Sequence, residues 1–325
     1  MWTLHALLWI VLLAGIVHAQ QPVRFPAASS FSTVDLGNPI NRSSPLNKGL
    51  VGWWINLPQI NRAGTTFRDI SGYGHHGTLT NMATTPPTST SGWNPTTRRG
   101  GYGQVAFDGT NDYIDAGGAV VSSMPLTLCG GFTTSLSSGV LPLLSIQLAG
   151  SNNSIYRLIL YQGKVQGQTQ ESGGALVASI TSYPLNTWAY TCVVFATTTS
   201  RTIYLNGKNE ATNTTNVAAA QNLSKTFLGF TDGPAEYFSG SLDSLAIFNL
   251  GLSDVFVMSL YQEALAGYPQ TLNRLPFVAR ASAAAASPAR RFFQFFKLLP
   301  DGFQWPVPWR QWPVNNREEQ RENAS

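Results

Sequence analysis

Between Asn186 and Tyr261 the chain reads NTWAYTCVVF (Asn186–Phe195), RTIYLNGK (Arg201–Lys208), KTFLGF (Lys225–Phe230) and YFSGSLDSLAIFNLGLSDVFVMSLY (Tyr237–Tyr261). The first three are short runs rich in β-branched and aromatic residues, which fit a pleated, half-buried surface. Asn206 and Gly207 mark a tight two-residue hairpin, because a type I′ turn needs positive φ at both central positions. The last segment opens as a long strand. Ser253 then stands as an N-cap, Val255, Met258, Leu260 and Tyr261 carry a helix to about Ala266, and Gly267 and Pro269 end it. That helix is expected to lie against the edge of a β-structure.

Upstream, further strand signals recur in QVAFDG (Gln104–Gly109), DYIDAG (Asp112–Gly117), LTLCGGF (Leu126–Phe132), LPLLSIQL (Leu141–Leu148) and SIYRLILYQGKVQGQTQ (Ser154–Gln170). A spacing of about ten residues between such runs points to an all-β sandwich. GLVGWW (Gly49–Trp54) is read as the opening strand. The stretch that follows, up to Gly101, is irregular and rich in Gly, Thr, Pro and Asn.

The fixed order of these segments resembles laminin-G-like and pentraxin-like domains of the concanavalin A type. The resemblance covers roughly residues 49–268 and implies a jelly-roll sandwich of two antiparallel sheets with a short helix near its C-terminal end. Within it, AFDGTNDYIDAG (Ala106–Gly117) is similar to the Phe-Asp-Gly-x-x-Asp-Tyr-Val hairpin of such domains. Phe107, Tyr113 and Ile114 are expected to pack there, with Asp108, Gly109 and Asn111 making the turn; ligand contact by Asp112 or Asp115 is the alternative. RDISGYGHHGTLTN (Arg68–Asn81) resembles the Asp-x-Ser-Gly-x-Gly-x-x-Gly loop, which in bacterial and phage members is often tied down by calcium. The resemblance implies a structural calcium site on Asp69, backbone carbonyls of residues 72–77, and Asp243; calcium takes six to eight oxygens. The competing role for Asp69 is to cap its own turn.

The pentraxin comparison adds two implications. Asn152, Asn153 and Asp232 occupy positions where pentraxins hold ligand-binding calcium, although Asp232 stands alone where they carry an acidic cluster. Pentraxins also join the strand "Leu-Thr-x-Cys" to the strand before the "Tyr-x-Asn-Gly-Lys" turn by a disulfide, which would pair Cys129 with Cys192. In an exported chain such a bridge is natural; two buried thiols are the alternative.

Catalytic signals are sparse. The chain has no HExxH, G-x-S-x-G or Walker loop. GYGHHG (Gly72–Gly77) matches G-x-G-x-x-G, but Thr78, Leu79 and Thr80 run on toward Pro86 and Pro87 rather than into a helix, so a dinucleotide fingerprint is excluded. The adjacent His75 and His76 are expected to point apart. No strand carries the E-x-D-x-E carboxylates of a glycosidase groove. N-x-Ser/Thr sequons stand at Asn41, Asn152, Asn213, Asn222 and Asn323.

Bulk properties agree with an exported β-protein. Of 325 residues only 11% are charged, and the formal charge of +4 is modest, which argues against a nucleic-acid partner. Residues 1–19 read as an export signal, with the apolar run Ala6–Val17 before a Val17-His18-Ala19 cleavage pattern; a retained anchor is the alternative. Residues 20–48 read as an extended arm, and residues 269–325 as an Ala-rich linker with an aromatic and basic tail. Within the tail, residues 290–312 are expected to contact a membrane or a protein surface, a disordered tail being the alternative. The expectation is a secreted or surface-exposed, non-catalytic module that binds carbohydrate or another extracellular ligand with calcium support. A structural assembly protein is the alternative, and a glycosidase a more distant one.

Overall fold

A computed structural model describes residues 39–57, 61, 64–84, 87–94, 103–151, 153–170, 174–233, 235–268 and 271–272. The expected export signal, the arm before residue 39, Asn152 and the 290–312 tail segment lie outside the described residues.

The described residues form two eight-stranded sheets, with strands numbered in chain order. The first sheet comprises β1 (Leu50–Trp54), β4 (Gly92–Asn94), β5 (Gln104–Asp108), β7 (Leu126–Thr133), β12 (Ala189–Thr197), β13 (Ser200–Leu205), β14 (Lys208–Asn213) and β18 (Ser239–Phe248). Its order is β14-β13-β12-β7-β18-β5-β4, with β1 also paired to β18. The second sheet comprises β2 (Thr66–Phe67), β3 (Gly77–Thr80), β6 (Tyr113–Asp115), β8 (Val140–Gln147), β9 (Ile155–Tyr161), β10 (Lys164–Gln170), β11 (Ala175–Ala178) and β15 (Lys225–Leu228). It is ordered β11-β10-β9-β8-β15-β6-β3-β2, and every pairing in both sheets is antiparallel. A small hairpin, β16 (Phe230–Thr231) and β17 (Glu236–Tyr237), completes the strands.

The inner faces meet in one core that includes Trp54, Phe107, Ile114, Phe132, Leu144, Tyr156, Val193, Phe195 and Ile247. A second apolar layer lies on the outer face of the first sheet. There Trp53, Tyr190, Val194, Tyr204, Ala246 and Phe248 are covered by Val257, Leu260 and Ala264 of helix α1 (Asp254–Ala266), with Ile40, Leu46 and Leu272 alongside. Strands buried on both faces have no solvent side to make polar, so LTLCGGF and AYTCVVF read as continuous apolar runs. Cys129 and Cys192 are direct cross-strand partners on β7 and β12, form a disulfide, and sit fully buried in this outer layer.

The expected turns are present, with differences of detail. Asn206 and Gly207 both have positive φ, 51° and 76°. Gln162 and Gly163 do as well, at 49° and 75°, so the run Ser154–Gln170 folds back as β9 and β10 rather than as one strand. Helix α1 ends at Gly267 in the left-handed conformation, but Ser253 makes no capping hydrogen bond through its side chain. Instead the first-turn carboxylate of Asp254 supplies negative charge at the helix start and accepts the Tyr204 hydroxyl at 2.6 Å. The stretch before Gly101 holds the short strands β2, β3 and β4, whose two to four residues are too brief to show a period and form because neighbouring strands pair with them. Residue Ile40 of the arm bridges Leu272, and Leu46 is buried in a short 3-10 turn. Among the described residues no helix is long and apolar enough to cross a membrane.

Candidate functional site

Unlike the first sheet, the second keeps a polar outer face. Its cross-strand register aligns one row from eight strands: Leu176, Gln168, Arg157, Ser145, Phe227, Asp115, Thr78 and Thr66. Side chains alternate across a strand, so all of these stand opposite the core residues of their strands.

The β16–β17 hairpin lies on this row. Gly229, at φ 73°, redirects the chain after β15; a Cβ there would come within 2.4 Å of the Phe107 ring, so only glycine fits. Ser145 donates from Oγ to the Phe230 carbonyl at 2.8 Å. Gln147 donates to the Asp232 carbonyl at 2.7 Å and accepts the Asp232 N–H at 3.3 Å, mimicking a strand pair. Phe230 stacks between Tyr113 and Tyr237, at centroid distances of 4.8 and 4.9 Å, with Phe227 edge-on at 5.1 Å. The two tyrosines are half-buried, which leaves ring surface at the rim. Arg157 donates from Nη1 to Glu236 at 2.6 Å and from Nε to Gln168 at 2.8 Å. Lys225 pairs with Asp115 at 2.9 Å and lies over the Phe227 ring. The arrangement offers aromatic surface bordered by hydroxyl, amide and mutually neutralised charged groups.

Of the residues singled out from the sequence, Asp232 and Asn153 come to the same end of this sheet. Asp232 accepts the Gly150 N–H through Oδ2 at 2.8 Å, which ties the β16–β17 turn to the loop carrying exposed Asn153. Asn152 lies outside the described residues. Asp115 is on the face and ion-paired. Asp112 is fully buried and accepts the Asp108 N–H at 3.1 Å. Burial pushes its carboxyl above the ordinary value, against hydrogen bonds from Ser91 and the Asp108 amide, so it is a packing residue. Asp108 accepts the Thr110 and Asn111 amides, as the turn requires.

Asp69 is buried and braces the Gly72–Gly77 loop. Its Oδ1 accepts the Trp53 and Ser71 amides at 2.9 and 2.8 Å; its Oδ2 accepts the Ser71 hydroxyl and the His75 amide at 2.8 and 3.0 Å. Trp54 Nε1 donates to the His75 carbonyl and His76 Nδ1 accepts the Asp69 N–H. With four protons directed at one carboxylate, this donor set does not fit a calcium ion. Asp243 is buried on β18 opposite Gly131 of β7, and β1 separates that strand from Asp69. Among the described residues no group of three or more His, Cys, Asp or Glu is placed to hold a metal ion.

An open groove of about 390 Å³ lies elsewhere, between the edge strands β11 and β14, lined by Leu176, Ala178, Thr212 and Asn213 among others. It has neither aromatic residues nor paired charges in its lining.

Arg157, Gln147, Tyr113, Glu236 and Tyr237 were not singled out from the sequence as site residues. Arg157 carried the clearest available signal, a cation at an outward position in SIYRLILY.

Residues 108–255 match the family model Laminin_G_3, described as Concanavalin A-like lectin/glucanases superfamily, and the sandwich has a concanavalin A-like fold. No curated protein matches the chain. Among solved structures, domain 4 of AbnA, a GH43 extracellular arabinanase from Geobacillus stearothermophilus, in complex with arabinotriose, superposes with a TM-score of 0.52 at 16% identity, covering 66% of this chain and 98% of that one. The CBM40 of Ruminococcus gnavus IT-sialidase bound to α2,3 sialyllactose gives 0.39 at 15% identity, over 43% of this chain and 84% of that one. Trypanosoma rangeli sialidase gives 0.48 at 15% identity, over 66% of this chain and 33% of that one, so the likeness spans a third of the sialidase. At such identities the likeness is one of fold.

Proposed function

We propose that the domain is a non-catalytic carbohydrate-binding module, acting outside the cell, that takes neutral saccharides on the outer face of the second sheet beside the β16–β17 hairpin. The observation that carries this reading is the aromatic stack of Tyr113, Phe230 and Tyr237 at a polar rim. Aromatic rings pack on the C–H faces of a sugar ring while amide and hydroxyl groups meet its hydroxyls, the combination of apolar surface and few placed polar groups that ligand sites use. That domain 4 of AbnA, whose fold this domain shares, is solved with arabinotriose supports the class.

Neutrality follows from the charges. The Arg157–Glu236 side chains are only 11% and 18% exposed, so recruiting Arg157 for a sugar carboxylate would strand Glu236 in a largely buried place. Lys225 is engaged with Asp115. The two cations beside the hairpin, Arg157 and Lys225, are thus both paired, and an acidic sugar there meets no uncommitted one. The export-signal pattern and the disulfide support the extracellular setting.

The test is a glycan array with the full chain, with calcium and with chelator, beside Tyr237→Ala. Retention on neutral glycans, unaffected by chelator and lost in the variant, is expected. Binding confined to sialylated or uronate glycans would overturn the neutral reading, and loss with chelator would return Asn153 and Asp232 to a calcium-dependent role. No retention on any glycan would favour a structural surface protein.

A further inference from the structure

The five sequons are alike in sequence and unlike in structure. Asn152 and Asn323 lie outside the described residues. Asn213 donates from Nδ2 to the Leu176 carbonyl at 2.6 Å, and its Oδ1 accepts Arg201 Nη2 at 3.2 Å and the Thr215 amide at 2.7 Å. Its amide thus stitches β14 to β11, and a substituent on Nδ2 would have to enter that contact. Asn41 is half-buried, with Oδ1 accepting the Ser43 amide and its own N–H bonded to Thr271.

Asn222 differs on every point. It is exposed, holds a left-handed φ of 53°, which asparagine tolerates well, and its side chain makes no hydrogen bond to the described residues. The turn around it is held from both sides. Gln221 donates its N–H to Ser154 Oγ, which returns a bond to the Gln221 carbonyl; Ala220 donates to the Tyr156 hydroxyl; Ser224 donates its N–H to the Gln147 carbonyl. A rigid turn therefore presents an unengaged carboxamide to solvent.

We infer that Asn222 is the N-glycan acceptor among the described sequons, the turn Gln221–Ser224 being the place where the fold accommodates a sugar on an asparagine. In the transfer, Asn222 Nδ2 bonds to the anomeric carbon of a lipid-diphosphate-linked oligosaccharide. The anomeric C–O bond breaks, the lipid diphosphate departs with its electron pair, and Nδ2 gives up one proton. The glycan would stand at the end of the second sheet where the 148–154 loop and Asp232 meet, because Ser224 Oγ accepts the Ala149 amide and Gly150 donates to Asp232.

The experiment expresses the full chain in a eukaryotic secretory host and reads occupancy at each sequon by glycopeptide mass spectrometry, for the parent, Asn222→Gln and Asn213→Gln. Expected are occupancy at Asn222 several-fold above that at Asn213, and loss of one glycan increment in Asn222→Gln without change in its thermal midpoint. Asn213→Gln should lower that midpoint and keep the Asn222 glycan. An empty Asn222, or Asn213 occupied to the same extent or more, overturns the inference.

Discussion

The two sheets share one core and differ in what they turn outward. The first hides a second apolar layer, with the Cys129–Cys192 bridge and helix α1 over Tyr190, Tyr204 and Phe248. The second turns out Arg157, Gln168, Asp115 and threonines, roofed in part by a two-residue-per-strand hairpin. A covered apolar face is committed to stability, whereas a face of satisfied polar groups and half-buried rings can exchange water for a ligand at little cost. Mutations on the first sheet should therefore cost folding and spare binding, and those on the second the reverse.

The largest break in that contrast is expected from Cys129→Ala/Cys192→Ala. The bridge closes a loop with a sequence separation of 63, and its loss should cost about 4 kcal/mol on a chain-entropy argument; denaturant unfolding with and without reductant measures it. Next comes Leu260→Ala, which removes a buried side chain from the sheet-facing side of α1 and should cost about 3 kcal/mol while glycan retention by folded protein stays unchanged. Tyr237→Ala should weaken glycan binding about tenfold, a loss of about 1.4 kcal/mol, and shift the unfolding midpoint less than Leu260→Ala does. Equal damage to folding from Tyr237→Ala and Leu260→Ala would erase the proposed division of labour.

The smallest effects are those of two buried carboxylates, with opposite signs. Glu210 is pushed up by burial, but the Thr181 amide and hydroxyl and the Lys208 charge outweigh this and hold it below its ordinary value. Its contribution is present above the unfolded-state value and lost as pH falls through the folded one, so Glu210→Gln should flatten the acid limb of stability. Asp112 is raised, so stability falls as pH climbs from its ordinary value of 3.8 toward the folded one; Asp112→Asn should remove that fall and be the more stable near neutrality. Unfolding midpoints measured from pH 3 to about 7 distinguish the two. A matching sign for both variants would mean that one of the two carboxylates is held otherwise than described.

Much of the architecture was legible in short segments. Asn206-Gly207 announced its hairpin and the Val255–Tyr261 pattern its helix, because those conformations depend on a few neighbouring residues. The candidate site was harder to read. Its face collects Leu176, Gln168, Arg157, Ser145, Phe227 and Asp115 from six strands, and nothing local marks them as neighbours. Asp69 shows the opposite difficulty. Its motif is conspicuous, but its role depends on Trp53, which lies 16 residues away and donates into the same carboxylate.

Composition, turn residues and the period of apolar runs were enough to establish an all-β sandwich, its hairpins and its closing helix, since each rests on local backbone preference and side-chain alternation. The jelly-roll order and the cysteine pairing came from the family resemblance. Which sheet is sealed, which carboxylates are spent on bracing loops, and which sequon stands free were decided only by the tertiary structure. Those properties depend on strand register and layer coverage, and register joins residues whose separation along the chain carries no signal of their contact.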